Sequence, residues 1–126
     1  MPDNLESVPT VCLVTFRRDG REVPTPVWVV GVDGRLFVNT ESRSGKVKRV
    51  RHTPAVRLAP CTWRGRPLGD WRQGRASIVA DAALVARVNQ ALRAKYGWQA
   101  GLNRFLAKFS RRIAERTILE VRLDSA

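Results

Sequence analysis

A chain of 126 residues, 44% of them apolar, has the size and composition of one globular domain with one modest core, not of a disordered or fibrous polymer. Its 23 Lys plus Arg against 11 Asp plus Glu leave a net charge of +12, which draws polyanions: nucleic acid, anionic membrane surfaces or multiply charged cofactors. Most of the cations are arginine, a bias that a GC-rich genome would also produce, so arginine content alone does not choose among these.

In chain order, residues 1–10 carry little pattern and read as a flexible or loosely docked N-terminus. VCLVTFR (11–17) has the β-branched, apolar density of a buried strand. RRDGRE (17–22) supplies Asp-Gly, a tight-turn signal between strands. VPTPVWVVGV (23–32) reads as the returning strand, with prolines near its start, where a missing N–H is tolerable at an edge. A second Asp-Gly at 33–34 leads into RLFVNT (35–40), so these strands predict a three-stranded meander.

SGKVKRVRHT (44–53) predicts a short amphipathic helix after this third strand, ended by Thr53-Pro54. AVRLAPCTW (55–63) reads as a fourth strand, RGRPLGDW (64–71) as turns, and RQGRASIVA (72–80) as a fifth strand. The period then changes. Asp81 caps a helix over 82–95, with Leu84, Val85, Val88, Ala91 and Leu92 on one face. Tyr96-Gly97-Trp98 interrupts it, and a second helix over 99–112 buries Leu102, Phe105, Leu106 and Phe109. TILEVRL (117–123) alternates and returns as a closing strand. The pattern predicts one α+β domain over 1–126, dominated by antiparallel strands and closing into a small closed or split β-barrel.

Cys12 and Cys61 lack metal-ligand spacing, and His52 is the sole histidine. A zinc site is not expected; buried free thiols are, with a disulfide across paired strands as the rarer alternative. No apolar run approaches a membrane span, so the expectation is a cytoplasmic protein without membrane insertion.

No side-chain constellation for catalysis stands out. His52 sits among cations at a helix end, the serines lack a nucleophile elbow, and no Walker or dinucleotide glycine fingerprint occurs. An enzyme built on this chain would draw its reactive atom from a bound cofactor. Two stretches are candidates to hold one. In NTESRSGKVKRVRHTP (39–54), Thr40 ends a strand, and Ser42, Ser44 and Gly45 open a helix with Lys46 in its first turn. That arrangement makes an anion site from free N–H groups, hydroxyls and the helix dipole; equally, it makes a serine-capped, solvated surface helix. In TPVW (25–28), Pro26 removes a donor, neighbouring backbone groups can meet a flat heterocycle, and Trp28 is either an aromatic wall or an ordinary core tryptophan. Trp63, Trp71 and Trp98 lie at turns or helix breaks, where tryptophans plug barrel ends or line pockets and interfaces.

Taken together, residues 15–61 resemble the pyridoxamine 5′-phosphate oxidase-like superfamily of flavin-binding split barrels, and within it the branch that uses the deazaflavin coenzyme F420. The resemblance rests on the DGR turn, TPVW, the strand ending in Thr40, GKVKRVR and the strand AVRLAPC. RGRPLG, GRASIV and KYGW, further along, also look like that branch. It implies an FMN-binding-like split-barrel homodimer with cofactor sites between subunits. It also implies that Thr25, Pro26, Val27 and Trp28 lie along the ring, largely through backbone contacts. Thr40, Ser42, Ser44, Gly45 and Lys46 match the positions that take the phosphate end; Pro60 and Cys61 match a strand approaching the ring; Trp98 would close the site from the partner subunit. Arg43, Lys48, Arg49 and Arg51 would form a track for the cofactor's anionic polyglutamate tail.

The expected activity is hydride transfer from reduced F420 to an electron-poor small molecule, with the acceptor open among quinones, tetrapyrroles, enones and nitroaromatics. Alternatives are an FMN-binding flavoprotein, a basic nucleic-acid-binding module and a non-catalytic cofactor carrier. The tryptophans sit mostly at turns, not on a basic strand face, which disfavours nucleic acid.

Overall fold

In the computed structural model, residues 5–41, 45–96 and 116–124 are described. A 3-10 turn, Leu5–Ser7, precedes β1 (Val11–Phe16), β2 (Glu22–Val27), β3 (Val29–Val32) and β4 (Arg35–Glu41). Then come α1 (Gly45–His52), β5 (Ala55–Pro60), β6 (Arg72–Ile78), α2 (Ala82–Tyr96) and β7 (Arg116–Leu123). All strand pairs are antiparallel and form one curled sheet in the order β2-β1-β5-β6-β7-β4-β3. This is the expected α+β split-barrel architecture.

Both Asp-Gly turns close hairpins. Asp33 and Gly34 have φ of 53° and 75°, the left-handed pair that a tight two-residue hairpin demands. At the first turn, the Asp19 carboxylate accepts from the Arg21 N–H at 3.1 Å and pairs with its guanidinium at 2.7 Å. Asp81 caps α2 as expected, accepting from the Ala83 N–H at 2.9 Å.

The continuous strand expected over 23–32 does not form. The chain breaks at Trp28, and its two halves go to opposite edges of the sheet, β2 beside β1 and β3 beside β4. Two separate hairpins therefore replace the three-stranded meander, and α1 follows the fourth strand, not the third. The reason lies in tertiary satisfaction of the backbone. The Tyr96 hydroxyl accepts from the Val29 N–H at 3.1 Å and donates to the Pro9 carbonyl at 2.8 Å. Lys95 Nζ donates to the Val29 carbonyl at 2.6 Å. Both backbone polar groups of Val29 are thus paired by α2 at the break.

Two layers of core result. Inside the curl, Leu13, Val27, Val29, Val38, Val56, Leu58 and Leu119 pack with Leu5 and with Val50 of α1. Outside it, Val88, Leu92 and Tyr96 of α2 cover Val30, Phe37 and Ile118. Leu84, Val85 and Ala91 flank that contact, so the helical face read from the sequence is the one that docks.

Two further expectations are corrected. Residues 5–10 are not loosely held: Leu5 is wholly buried, and Lys95 Nζ donates to the Glu6 and Val8 carbonyls at 2.8 and 2.7 Å. Tyr96 does not interrupt the helix but belongs to its last turn, continuing the Val88–Leu92 stripe at four-residue spacing. The helix expected over 99–112 lies outside the described residues.

Candidate functional site

A cleft of about 500 Å³ lies between the β1–β2 turn and α1. Phe16, Arg17, Arg18, Asp19 and Arg21 form one wall; Gly45, Lys48, Arg49 and His52 form the other. The helix presents this face because Val47 and Val50, roughly opposite it, are buried. Five cations thus converge, and Asp19, the one acid in the lining, is already engaged by Arg21.

Arg49 is the cleft's most constrained residue. Its Nε donates to the Thr15 hydroxyl at 2.6 Å, and Thr15 is fully buried. The guanidinium folds back over the start of α1, where a Cβ added to Gly45 would meet Arg49 Nη1 at 2.5 Å. A side chain at position 45 would therefore displace the Arg49 guanidinium from this position, a movement open to the flexible end of an arginine. Partial burial, and then the charge of Arg17, push the Arg49 guanidinium below its usual pKa. Two like charges held together beside a helix N-terminus lower their energy by taking an anion.

Of the residues expected at the phosphate end, Gly45 lines this cleft, beside Lys48 and Arg49 of the expected tail track. Lys46 is half-buried and lies off the cleft face, and Thr40 is buried on β4. Ser42, Arg43 and Ser44 lie outside the described residues. The wall that sequence reasoning missed is Arg17–Arg21. Its only role in the sequence reading was as a hairpin turn; the signal present was three arginines around that turn.

The residues expected along the ring gather elsewhere. Thr25, Pro26 and Val27 lie on the edge strand β2, and β1 separates them from β5, with Val11 paired to both Val27 and Pro60. Pro60 and Cys61 thus reach the same end of the sheet as Pro26 and Trp28. About 17 Å of strand separates Val27 from Glu22, next to the cationic cleft. The two halves of the expected site are therefore joined by the length of β2.

Trp28 is neither a core tryptophan nor a free wall. It is 38% exposed, and one face stacks on Tyr96, with centroids 4.2 Å apart and planes 7° from parallel. Trp98, the expected partner-subunit closure, lies outside the described residues. Cys12 and Cys61 are free, buried and adjacent. Burial raises both thiols, Cys61 to about 11. Among the described residues no cluster of three or more His, Cys, Asp or Glu could hold a metal ion.

Among the described residues, seven antiparallel strands curled around an apolar core, with a second apolar layer under α2 and a cationic helix at one end, define a split-barrel protein. A family profile described as pyridoxamine 5′-phosphate oxidase matches residues 1–126, and the chain belongs to that family. Solved structures share the fold at low identity. A conserved hypothetical protein of Mycobacterium tuberculosis is 20% identical with a TM-score of 0.73, over 96% of this chain and 76% of that one. A protein described as an F420 reductase is 19% identical with a TM-score of 0.62, over 99% and 97% of the two chains. A haem storage protein of Vibrio cholerae is 15% identical with a TM-score of 0.67, over 97% and 86%. No curated protein matches the sequence.

Proposed function

We propose that this protein binds coenzyme F420 and acts as a reductase, passing a hydride to an electron-poor small molecule from a site shared by two subunits. The observation that carries the reading is the cationic cleft of Arg17, Arg18, Arg21, Lys48 and Arg49. The residues suit this cofactor because it ends in a phosphodiester and a chain of carboxylates, and the cleft offers several cations with one engaged acid. FMN, with one terminal phosphate, asks for fewer.

A second feature points the same way. At Pro24 and Pro26 the edge strand β2 has no N–H to donate. The flavin ring has an acceptor nitrogen at position 5, whereas the deazaflavin has carbon there and requires no donor.

When bound, the deazaflavin would supply a hydride from C5. The chain's own tasks are then separable. Arg17, Arg49 and Lys48 hold the anionic end, with Lys46 and the hydroxyls of Thr40, Ser42 and Ser44 as the expected phosphate ligands. Thr25–Trp28, Pro60 and Cys61 bound the ring end, and Trp28 keeps water from one side of it.

Titrating the protein with F420 and following fluorescence quenching tests the proposal. Saturable binding at micromolar concentrations, weakened in Arg49→Ala and by added salt, is expected. Failure to bind F420 together with tight binding of FMN would replace it with the flavoprotein reading, which the family match by itself favours.

A further inference from the structure

Strand β1 alternates its side chains between two clusters, with Val11 and Leu13 in the inner core and Cys12 and Val14 on the other face. Thr15 takes the next inward position and is wholly buried, yet it carries a hydroxyl where its two predecessors are aliphatic. A buried hydroxyl is costly unless it is hydrogen-bonded. Its bond to the strand backbone is poor, because Oγ1 donates to the Val23 carbonyl at 3.5 Å, long for an O–H···O contact. Its short bond is the one it accepts from Arg49 Nε at 2.6 Å. The hydroxyl serves the arginine more than the strand.

Burial of Val47 and Val50 fixes the helix that carries Arg49. That packing does not fix the arginine beyond its Cβ, since the long stem keeps several rotamers at a cleft wall. The Thr15 bond does so through Nε alone. It lays the guanidinium over the start of α1, with Nη1 and Nη2 at 2.5 and 3.4 Å from where a Gly45 Cβ would stand. Gly45, Arg17 and Lys48 line the same cleft.

We propose that Thr15 is a positioning residue: its hydroxyl holds Arg49, before any ligand arrives, in the pose that receives the ligand's anionic end. The inference rests on the proposed reading of the cleft as an anion site, and not on which cofactor brings the anion. A side chain ordered in the free protein loses less freedom on binding, so affinity rises without a new contact. Two Nη groups held in one plane suit a bidentate contact with a phosphate or carboxylate.

Isothermal titration of the full chain with inorganic pyrophosphate, alongside F420 and FMN, is the test. Thr15→Val deletes the hydroxyl and keeps the β-branched shape; Thr15→Ala deletes it and leaves room; Thr15→Ser retains it. The two deletions are expected to weaken pyrophosphate binding about three- to tenfold, the effect of ordering one long side chain. Thr15→Ser should bind as wild type does, and every comparison is made at a temperature where thermal melts show the variants folded. In an Arg49→Ala background, Thr15→Val should weaken the residual binding no further, because the hydroxyl acts only through that guanidinium. Wild-type affinity in both deletions, a Thr15→Ser as weak as they are, or the same loss in the Arg49→Ala background overturns the proposal. So does a wild type that takes no pyrophosphate. Pyrophosphate binding that depends on the Thr15 hydroxyl, in a protein that does not bind F420, upholds this inference and sinks the F420 reading.

Discussion

Tyr96 stacks its ring on Trp28 at 4.2 Å while its hydroxyl holds the Val29 N–H and the Pro9 carbonyl. One side chain from the last turn of α2 thus fixes the strand break, the docked N-terminal segment and the orientation of the Trp28 ring. Tyr96→Phe keeps the stack and leaves the buried Val29 N–H unpaired, so a loss of about 1–2 kcal/mol in urea unfolding is expected. Tyr96→Ala removes the ring too and should cost about 3–5 kcal/mol. If the proposed site is right, Trp28→Ala weakens cofactor binding while lowering stability by less than Tyr96→Ala does.

Lys95 holds three carbonyls with one ammonium, tying Glu6 and Val8 to Val29. Lys95→Met keeps the apolar stem and deletes the donors. The expected outcome is faster cleavage of residues 5–10 in limited proteolysis, before any global unfolding, because those carbonyls lose the ammonium they share.

The cleft makes a graded prediction. Arg49→Ala removes the guanidinium nearest Gly45 and Arg17, and should weaken F420 binding by more than tenfold if a charge-assisted contact is lost. Arg17→Ala should weaken it less and flatten its salt dependence. Lys46→Ala separates the phosphate role carried by the family resemblance from the cleft seen in the structure. A larger loss at Lys46 than at Arg49 would place the anion on the other side of the helix start.

Alkaline pH should destabilise the fold. Burial raises the Cys61 thiol to about 11 from 9.0, and raises Cys12 and Tyr96 as well. A group whose folded pKa is raised contributes stability that is complete below its unfolded pKa and is lost as pH climbs through the folded value. Loss is therefore expected between about pH 9 and 11, with at most about 3 kcal/mol from Cys61. Lys95 works in the opposite sense, since burial lowers its pKa from 10.5. Urea midpoints across that pH range should fall less in Cys61→Ala than in wild type.

Gly74 tests the sheet itself. A Cβ there would meet the Arg122 carbonyl at 2.5 Å, across the pairing of β6 with β7. Because the obstacle is backbone, Gly74→Ala should cost about 1–3 kcal/mol by thermal unfolding.

Local rules carried most of the elements. The two Asp-Gly turns, the Asp81 cap, and the Val88–Leu92 stripe each depend on residues within a few positions of one another, and each formed where the sequence placed it. The strand break at Trp28 was illegible because VPTPVWVVGV is dense in β-branched and aromatic residues and carries no turn signal at Trp28. What splits it is satisfaction of Val29 by Lys95 and Tyr96, more than sixty positions away. The cleft was half legible for the same reason: α1 announced its charge, but its facing wall is a turn almost thirty residues earlier.

The sequence by itself determined the charge, the antiparallel α+β character, and the two stretches able to meet an anion and a flat ring. Those follow from composition, side-chain period and turn chemistry, which act over a few residues. Only the tertiary structure decided that β2 and β3 take opposite edges, that Tyr96 backs Trp28, and that Arg17 stands beside Arg49. Each of these depends on which distant groups complete one another's hydrogen bonds or share a desolvated space, and folding alone settles that.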